Sequence, residues 1–152
     1  MDYNRRDFLK TTAWMGAAAV AAGCVGPKGA RAAVGSGSMQ DFSAPALPKL
    51  RVGVVGLGNR GPGHVHNFAN LPNVEVTALC DLQPDRVAAQ LDWFKQNGKP
   101  APKGFSGSQD CWKAMCEAKN IDLVCIVTHW PLHAPIAVYA MEHGKHVCVE
   151  VP

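Results

Sequence analysis

LRVGVVGLGNRG, Leu50 to Gly61, starts as an unbroken apolar run rich in β-branched residues and breaks up into glycines. A run that is apolar at nearly every position, not at alternate ones, reads as a strand buried on both faces, the kind found in parallel sheets. Gly56, Gly58 and Gly61 have the G-x-G-x-x-G spacing. That spacing alone is a weak signal. Placed directly after a strand and directly before a helix, it has the context in which such a turn binds a dinucleotide. Gly56 permits the tight turn, Gly58 lets the backbone approach a pyrophosphate, and Gly61 lets helix pack on strand. The helix start then offers free N–H groups to phosphate.

Downstream, GPGHVHNFANL is a short helix with Pro62 near its start. VEVTALCD is a second strand. QPDRVAAQLDWFKQNG is a helix in which Val87, Leu91 and Phe94 fall on one face and Gly98 is the stop. KGFSG is a short third strand, and SQDCWKAMCEAKN is a helix with Ser108 as its N-cap. IDLVCIVT is a fourth, nearly continuous apolar strand. LHAPIAVYAMEHG is a helix despite Pro135, ending at Gly144, and KHVCVE is a fifth strand. Strands and helices in alternation specify α/β architecture, a doubly wound parallel sheet with helices on both faces. With right-handed crossovers this is the Rossmann nucleotide-binding fold.

Two further regions fall beside the glycine turn. Asp81 ends the second strand, roughly twenty residues past the turn, where an acid accepts hydrogen bonds from the ribose hydroxyls of the cofactor's adenosine. A carboxylate there repels a 2′-phosphate, so NAD is favoured over NADP, with nearby Arg86 tempering the preference. The other reading of Asp81 is a helix cap. THWPLHAP follows the fourth strand, and ligands of this fold bind beyond the carboxyl ends of strands, which brings His129, Trp130 and His133 toward the site. Pro131 separates the two histidines and no HExxH is present, so no metal is expected. His64 and His66 read as helix-start residues that cap or face solvent.

Composition narrows the function. The chain has 152 residues, 47% hydrophobic and 18% charged, enough for about one domain. The net charge of +3 comes largely from Arg5, Arg6, Lys10, Lys28 and Arg31, leaving the rest near neutral and without a nucleic-acid surface. Six cysteines have no CxxC pair and no zinc spacing, and Cys80, Cys125 and Cys148 lie in apolar strands as small hydrophobes, so unpaired thiols are expected.

Residues 1–32 read as a targeting segment. Arg5-Arg6-Asp7-Phe8-Leu9-Lys10, followed by an Ala/Gly-rich run too short to span a membrane, resembles a twin-arginine export signal, with Asn4 where Ser or Thr is usual. Two exits are open. AAGC, ending at Cys24, resembles a lipobox that would leave a lipid anchor on that cysteine, and ARA at Ala30 to Ala32 resembles an ordinary cleavage site. Residues 33–48 form a flexible Gly/Ser/Pro linker, and the domain runs over 49–152. The expected partners are the twin-arginine translocation machinery and a carbohydrate, at a periplasmic or envelope-anchored location.

GLGNRGPGH, ALCDLQPDR and IDLVCIVTHWPLHAPIAVYAMEHGKHVCVEVP resemble the Gfo/Idh/MocA oxidoreductase family. More narrowly they resemble glycoside hydrolase family 109, whose type activity is α-N-acetylgalactosaminidase. The resemblance covers Leu50 to Pro152 and implies that Asn59, Arg60, Asp81, Trp130, His133, Glu150 and Val151 contact NAD. It implies that the substrate residues lie in a later α/β domain, so no catalytic residue is assigned here. Many dehydrogenases of the wider family end the last strand with Glu-Lys-Pro and use the lysine in proton transfer. Here Val151 has no titratable group and cannot do so. The narrower resemblance implies cleavage without net redox: a hydride leaves C3 of the sugar for NAD⁺, the C2 proton becomes acidic, the C1 substituent is eliminated, water adds and the hydride returns. A sugar dehydrogenase with another proton carrier and a non-catalytic sugar-binding module are the alternatives. The resemblance also implies a cis peptide before Pro152. The strand that closes the sequence suggests the incomplete N-terminal part of a longer chain, inactive by itself; a second copy of the complete chain is a further candidate partner.

Overall fold

The computed structural model describes residues 44–151. The export segment, Cys24, linker residues 33–43 and the peptide before Pro152 lie outside them. Five strands form one sheet: β1 (Leu50–Val55), β2 (Val74–Cys80), β3 (Lys103–Phe105), β4 (Leu123–Ile126) and β5 (His146–Val149). Every neighbouring pair is parallel, in the order β3-β2-β1-β4-β5. The crossovers are α1 (Gly61–Asn70), α2 (Pro84–Gln96), α3 (Cys111–Cys116) and α4 (His133–Glu142). The chain moves outward from β1 to β3, then returns to lay β4 on the other side of β1. Where the direction reverses, the loops after β1 and β4 part and leave a crevice.

Both faces of the sheet are apolar because both are covered. Val52, Val54, Val76 and Leu79 pack with Val65 of α1 and with Val87 and Phe94 of α2. Val55, Ala78, Val124 and Ile126 pack with Trp112 and Met115 of α3 and with Ile136 and Ala140 of α4. Strands buried on both sides leave no room for polar alternation, which is why the runs read as continuous.

The helix stops are where the glycines are: Gly98 and Gly144 have φ of +63° and +73°. Pro135 is the third residue of α4, in the first turn, where an N–H has no helical partner to lose. Two expectations need correction. The helix expected from Ser108 starts only at Cys111, and Ser108 is not its cap. Instead its Oγ accepts from the Asp110 amide at 3.2 Å and its carbonyl from the Cys111 amide, a local turn that competes with helix. His66 neither caps nor faces solvent freely. It stacks on Trp93 of α2 with ring centroids 3.9 Å apart and hydrogen-bonds Gln90.

At the amino end of the sheet, far along β1 from the crevice, Asp122 accepts from the Arg51 amide and from Nε, both at 2.9 Å, and from Nη2 at 2.6 Å. The guanidinium hydrogen bonds chiefly, and the amide after them, hold the Asp122 carboxyl below its ordinary range, against partial burial. A depressed carboxylate stabilises fully above its unfolded value of about 3.9, and the contribution is lost as pH falls through the folded value. Asp122→Asn is therefore expected to unfold at lower urea than the parent at neutral pH. The two midpoints should converge in acid. A gap that stays constant across that range would show that the charge is not what matters.

Candidate functional site

The turn after β1 is shaped by two close approaches. Gly56 has φ +93°, and a Cβ there would stand 2.5 Å from the Val127 carbonyl oxygen of the chain leaving β4. A Cβ on Gly61 would run into the Gly56 carbonyl oxygen. Only glycine at both positions lets α1 start directly against the strand end. Arg60 occupies the N-cap position of α1 and no side chain caps the helix. Among the described residues, the amides of Gly58, Asn59 and Arg60 have no hydrogen-bond acceptor. Asn59 and Arg60 are exposed at the mouth. The result is an uncapped helix start with free donors beside a cation, the arrangement that receives an anion.

Asp81 is 6% exposed. Its Oδ2 accepts from the Leu57 amide at 2.7 Å and its Oδ1 from the Gln83 amide at 2.9 Å. Arg86 Nη1 lies 3.7 Å from Oδ2. Asp81 thus braces the glycine turn, a role the spacing does not reveal. It does not cap α2, whose N-cap is Gln83 with no side-chain bond. Four lone-pair positions on a carboxylate leave capacity for ribose hydroxyls beside these two bonds.

The opposite wall follows β4. Trp130, 68% exposed, opens a short 3-10 turn and lines the crevice with His129 and Thr128. It is a ring at the mouth, not part of the core. His133 Nε2 donates to the Thr128 carbonyl at 2.8 Å, so this side chain holds the loop and is not among the residues that line the crevice. His129 lines the crevice and His133 does not, and among the described residues no group of three His, Cys, Asp or Glu side chains is gathered as metal ligands.

The end of β5 supplies the third side. Glu150 Oε1 lies 3.2 Å from His64 Nε2 of α1, and Oε2 accepts from the Val151 amide at 3.0 Å. These bonds, His64 first, hold the Glu150 carboxyl below its ordinary range, so it is ionised at neutral pH. His64, expected at solvent or as a cap, is a partner of this acid. Val151 is 78% exposed at the rim.

Eight of the ten expected residues, all but Gly61 and His133, therefore line one crevice of about 990 Å³. Gly61 shapes it from behind and His133 steadies a wall. Ser108 to Asp110, Trp112, Cys80 and Cys111 complete it. These were missed because β3 has only three residues and the loop after it carries no motif. The rule that sites lie beyond strand ends, applied to β3, would have found them.

The crevice fits a dinucleotide on its own observations. It joins open N–H donors for a pyrophosphate, a fixed acid for a ribose, and apolar surface from Leu82, Val127 and Leu132 on either side of the turn. A family model described as an oxidoreductase family with an NAD-binding Rossmann fold matches residues 50–152. "Glycosyl hydrolase family 109 protein 1" of Bacteroides fragilis is 50% identical over 73% of the chain and 24% of that protein. An "Alpha-N-acetylgalactosaminidase" of the same species is 44% identical over 71% and 25%. Among solved structures, the myo-inositol dehydrogenase of Lactobacillus casei in complex with NAD(H) and myo-inositol superimposes with a TM-score of 0.59 and 25% identity, over 68% of this chain and 29% of that one. The chain thus spans about a quarter of the length of the curated relatives it matches.

Proposed function

The chain belongs to the Gfo/Idh/MocA oxidoreductase family, and from that membership we propose that it is the NAD-holding part of an exported glycosidase acting on α-N-acetylgalactosaminides without net redox. Identity to the Bacteroides fragilis glycosidase relatives supports the substrate class. The single observation in the chain that carries the reading is Val151. A rim position that serves proton transfer in a sugar dehydrogenase is here an exposed aliphatic side chain that cannot take a proton.

The cofactor supplies reversible hydride transfer. The residues of this chain hold and orient it. The amides of Gly58 to Arg60 and the start of α1 receive the pyrophosphate, with the Arg60 cation beside them. Asp81 accepts from the adenosine ribose, and its charge favours NAD⁺ over NADP⁺. Trp130 provides a flat apolar wall at the mouth. Glu150, fixed by His64 and the Val151 amide, presents a carboxylate edge beside the other end of the cofactor. Export rests on the twin arginine at Arg5 and Arg6, followed either by lipid anchoring at Cys24 or by cleavage at Ala30 to Ala32. Mass analysis of the mature N-terminus checks both.

The test is release of nitrophenol from p-nitrophenyl α-N-acetylgalactosaminide by the complete polypeptide, with reduced nicotinamide followed in parallel. The expected result is nitrophenol with no accumulating NADH. A second reading, sugar dehydrogenase, draws on the likeness to the inositol dehydrogenase. It expects NADH from free sugar and no nitrophenol, and that outcome would replace the glycosidase reading.

A further inference from the structure

Cys80 is the last residue of β2 and Cys111 the first of α3. They are 31 positions apart, yet their Sγ atoms lie 3.3 Å from each other. Both residues border the crevice. Cys80 is fully buried and Cys111 is half-buried. We propose that Cys80 and Cys111 form a reversible dithiol–disulfide site in the crevice wall, open to small disulfides through Cys111.

Both residues are tied into the fold. The Cys80 carbonyl accepts from the Gly56 amide at 2.8 Å in the middle of the sheet. Cys111 is followed by Trp112 and Met115, which are buried in the core. A disulfide needs sulfurs about 2.0 Å apart, so the two sulfurs, now 3.3 Å apart, must close by roughly 1.3 Å. Burial first, and Cys111 next, pushes the Cys80 thiol well above the ordinary thiol range, so Cys80 stays protonated until a bond is offered to it. Cys111 is the accessible partner and enters first.

The exchange balances in two steps. The Cys111 thiolate attacks a small disulfide, RSSR, forming a Cys111–SR mixed disulfide and releasing RS⁻. The Cys80 thiol then gives up its proton to the first released RS⁻ as its sulfur attacks the Cys111 sulfur, forming the Cys80–Cys111 bond and releasing the second RS⁻. Two protein thiols are oxidised, one RSSR is reduced, and the two thiol protons end on the released thiols. The product ties the end of β2, just before Asp81, to the wall that carries Ser108 to Asp110, closing a loop that holds α2 and β3. The remaining pair of neighbours, Cys125 and Cys148, face each other in register on β4 and β5. Adjacent strands stand about 4.7–4.9 Å apart, wider than the Cβ spacing of about 3.8 Å that a disulfide prefers, so that pair requires the sheet to deform.

The complete polypeptide, freshly reduced, is incubated with oxidised glutathione. Its remaining thiols are then blocked with N-ethylmaleimide and the digest is read by mass spectrometry. The expected product joins the peptides of Cys80 and Cys111, is lighter than the reduced pair by two hydrogens, and reverts with dithiothreitol. The thermal midpoint should rise with the linkage and return on reduction. Cys111→Ser and Cys111→Ala should show neither the linkage nor the shift. A dominant Cys125–Cys148 linkage, or glutathione that stays on Cys111 without resolving, overturns the assignment.

Discussion

Gly56→Ala is expected to destabilise the domain by on the order of 4 kcal/mol. Two costs add. A side chain at φ +93° is strained, at about 1–3 kcal/mol. The new methyl also stands 2.5 Å from the Val127 carbonyl oxygen and 2.8 Å from the Thr128 amide nitrogen. Both are backbone atoms and cannot rotate away, and forced overpacking adds roughly 1–3 kcal/mol. Gly98→Ala and Gly144→Ala separate the two costs. Both have positive φ, and nothing lies within 4 Å of the added methyl, so each should lose only the strain. Gly63→Ala, with open space and ordinary φ in the first turn of α1, should be neutral or gain up to about 1 kcal/mol. Urea denaturation of the four variants checks the order. If Gly56→Ala falls with Gly98→Ala, the contact with β4 is softer than the structure indicates.

Asp81 carries the second large effect, and two substitutions divide its roles. Asp81→Ala deletes the acceptor of the Leu57 amide, in a residue that is 3% exposed. An orphaned buried donor costs about 1–3 kcal/mol. The Gln83 amide is in an exposed residue and can turn to water. Asp81→Asn keeps a carbonyl oxygen for Leu57, so the fold should hold while the charge is lost. A hydrogen bond to a charged group is worth about 1.5–3 kcal/mol, so NAD⁺ should bind the asparagine variant roughly ten- to a hundred-fold more weakly. The preference over NADP⁺ should narrow, because the repelling charge is gone and Arg86 stays. Trp130 at the mouth offers a fluorescence readout, with calorimetry as the check. Unchanged NAD⁺ affinity in Asp81→Asn would leave the residue with only its bracing role.

Much of this site is legible in the linear chain because its logic is local. The glycine turn sits within twelve residues of strand, turn and helix start, and each glycine answers a short-range need. Asp81 and Trp130 follow from strand ends, and the stops at Gly98 and Gly144 from the left-handed turn that a helix end asks for. Ser108 misleads for the same reason, since a serine before a helix and a serine closing a turn look alike in sequence.

The alternation of apolar runs with amphipathic segments determined the parallel sheet, the place of the crevice and the residues on its two nearest walls. Only the tertiary structure decided that His64 meets Glu150, that Asp81 grips the Leu57 amide, that His66 stacks on Trp93 and that Cys80 meets Cys111. Each of these pairs joins separate elements across a crossover. Their meeting depends on strand order and helix placement, which are set by burying both faces of the sheet at once, and no periodicity along the chain records that.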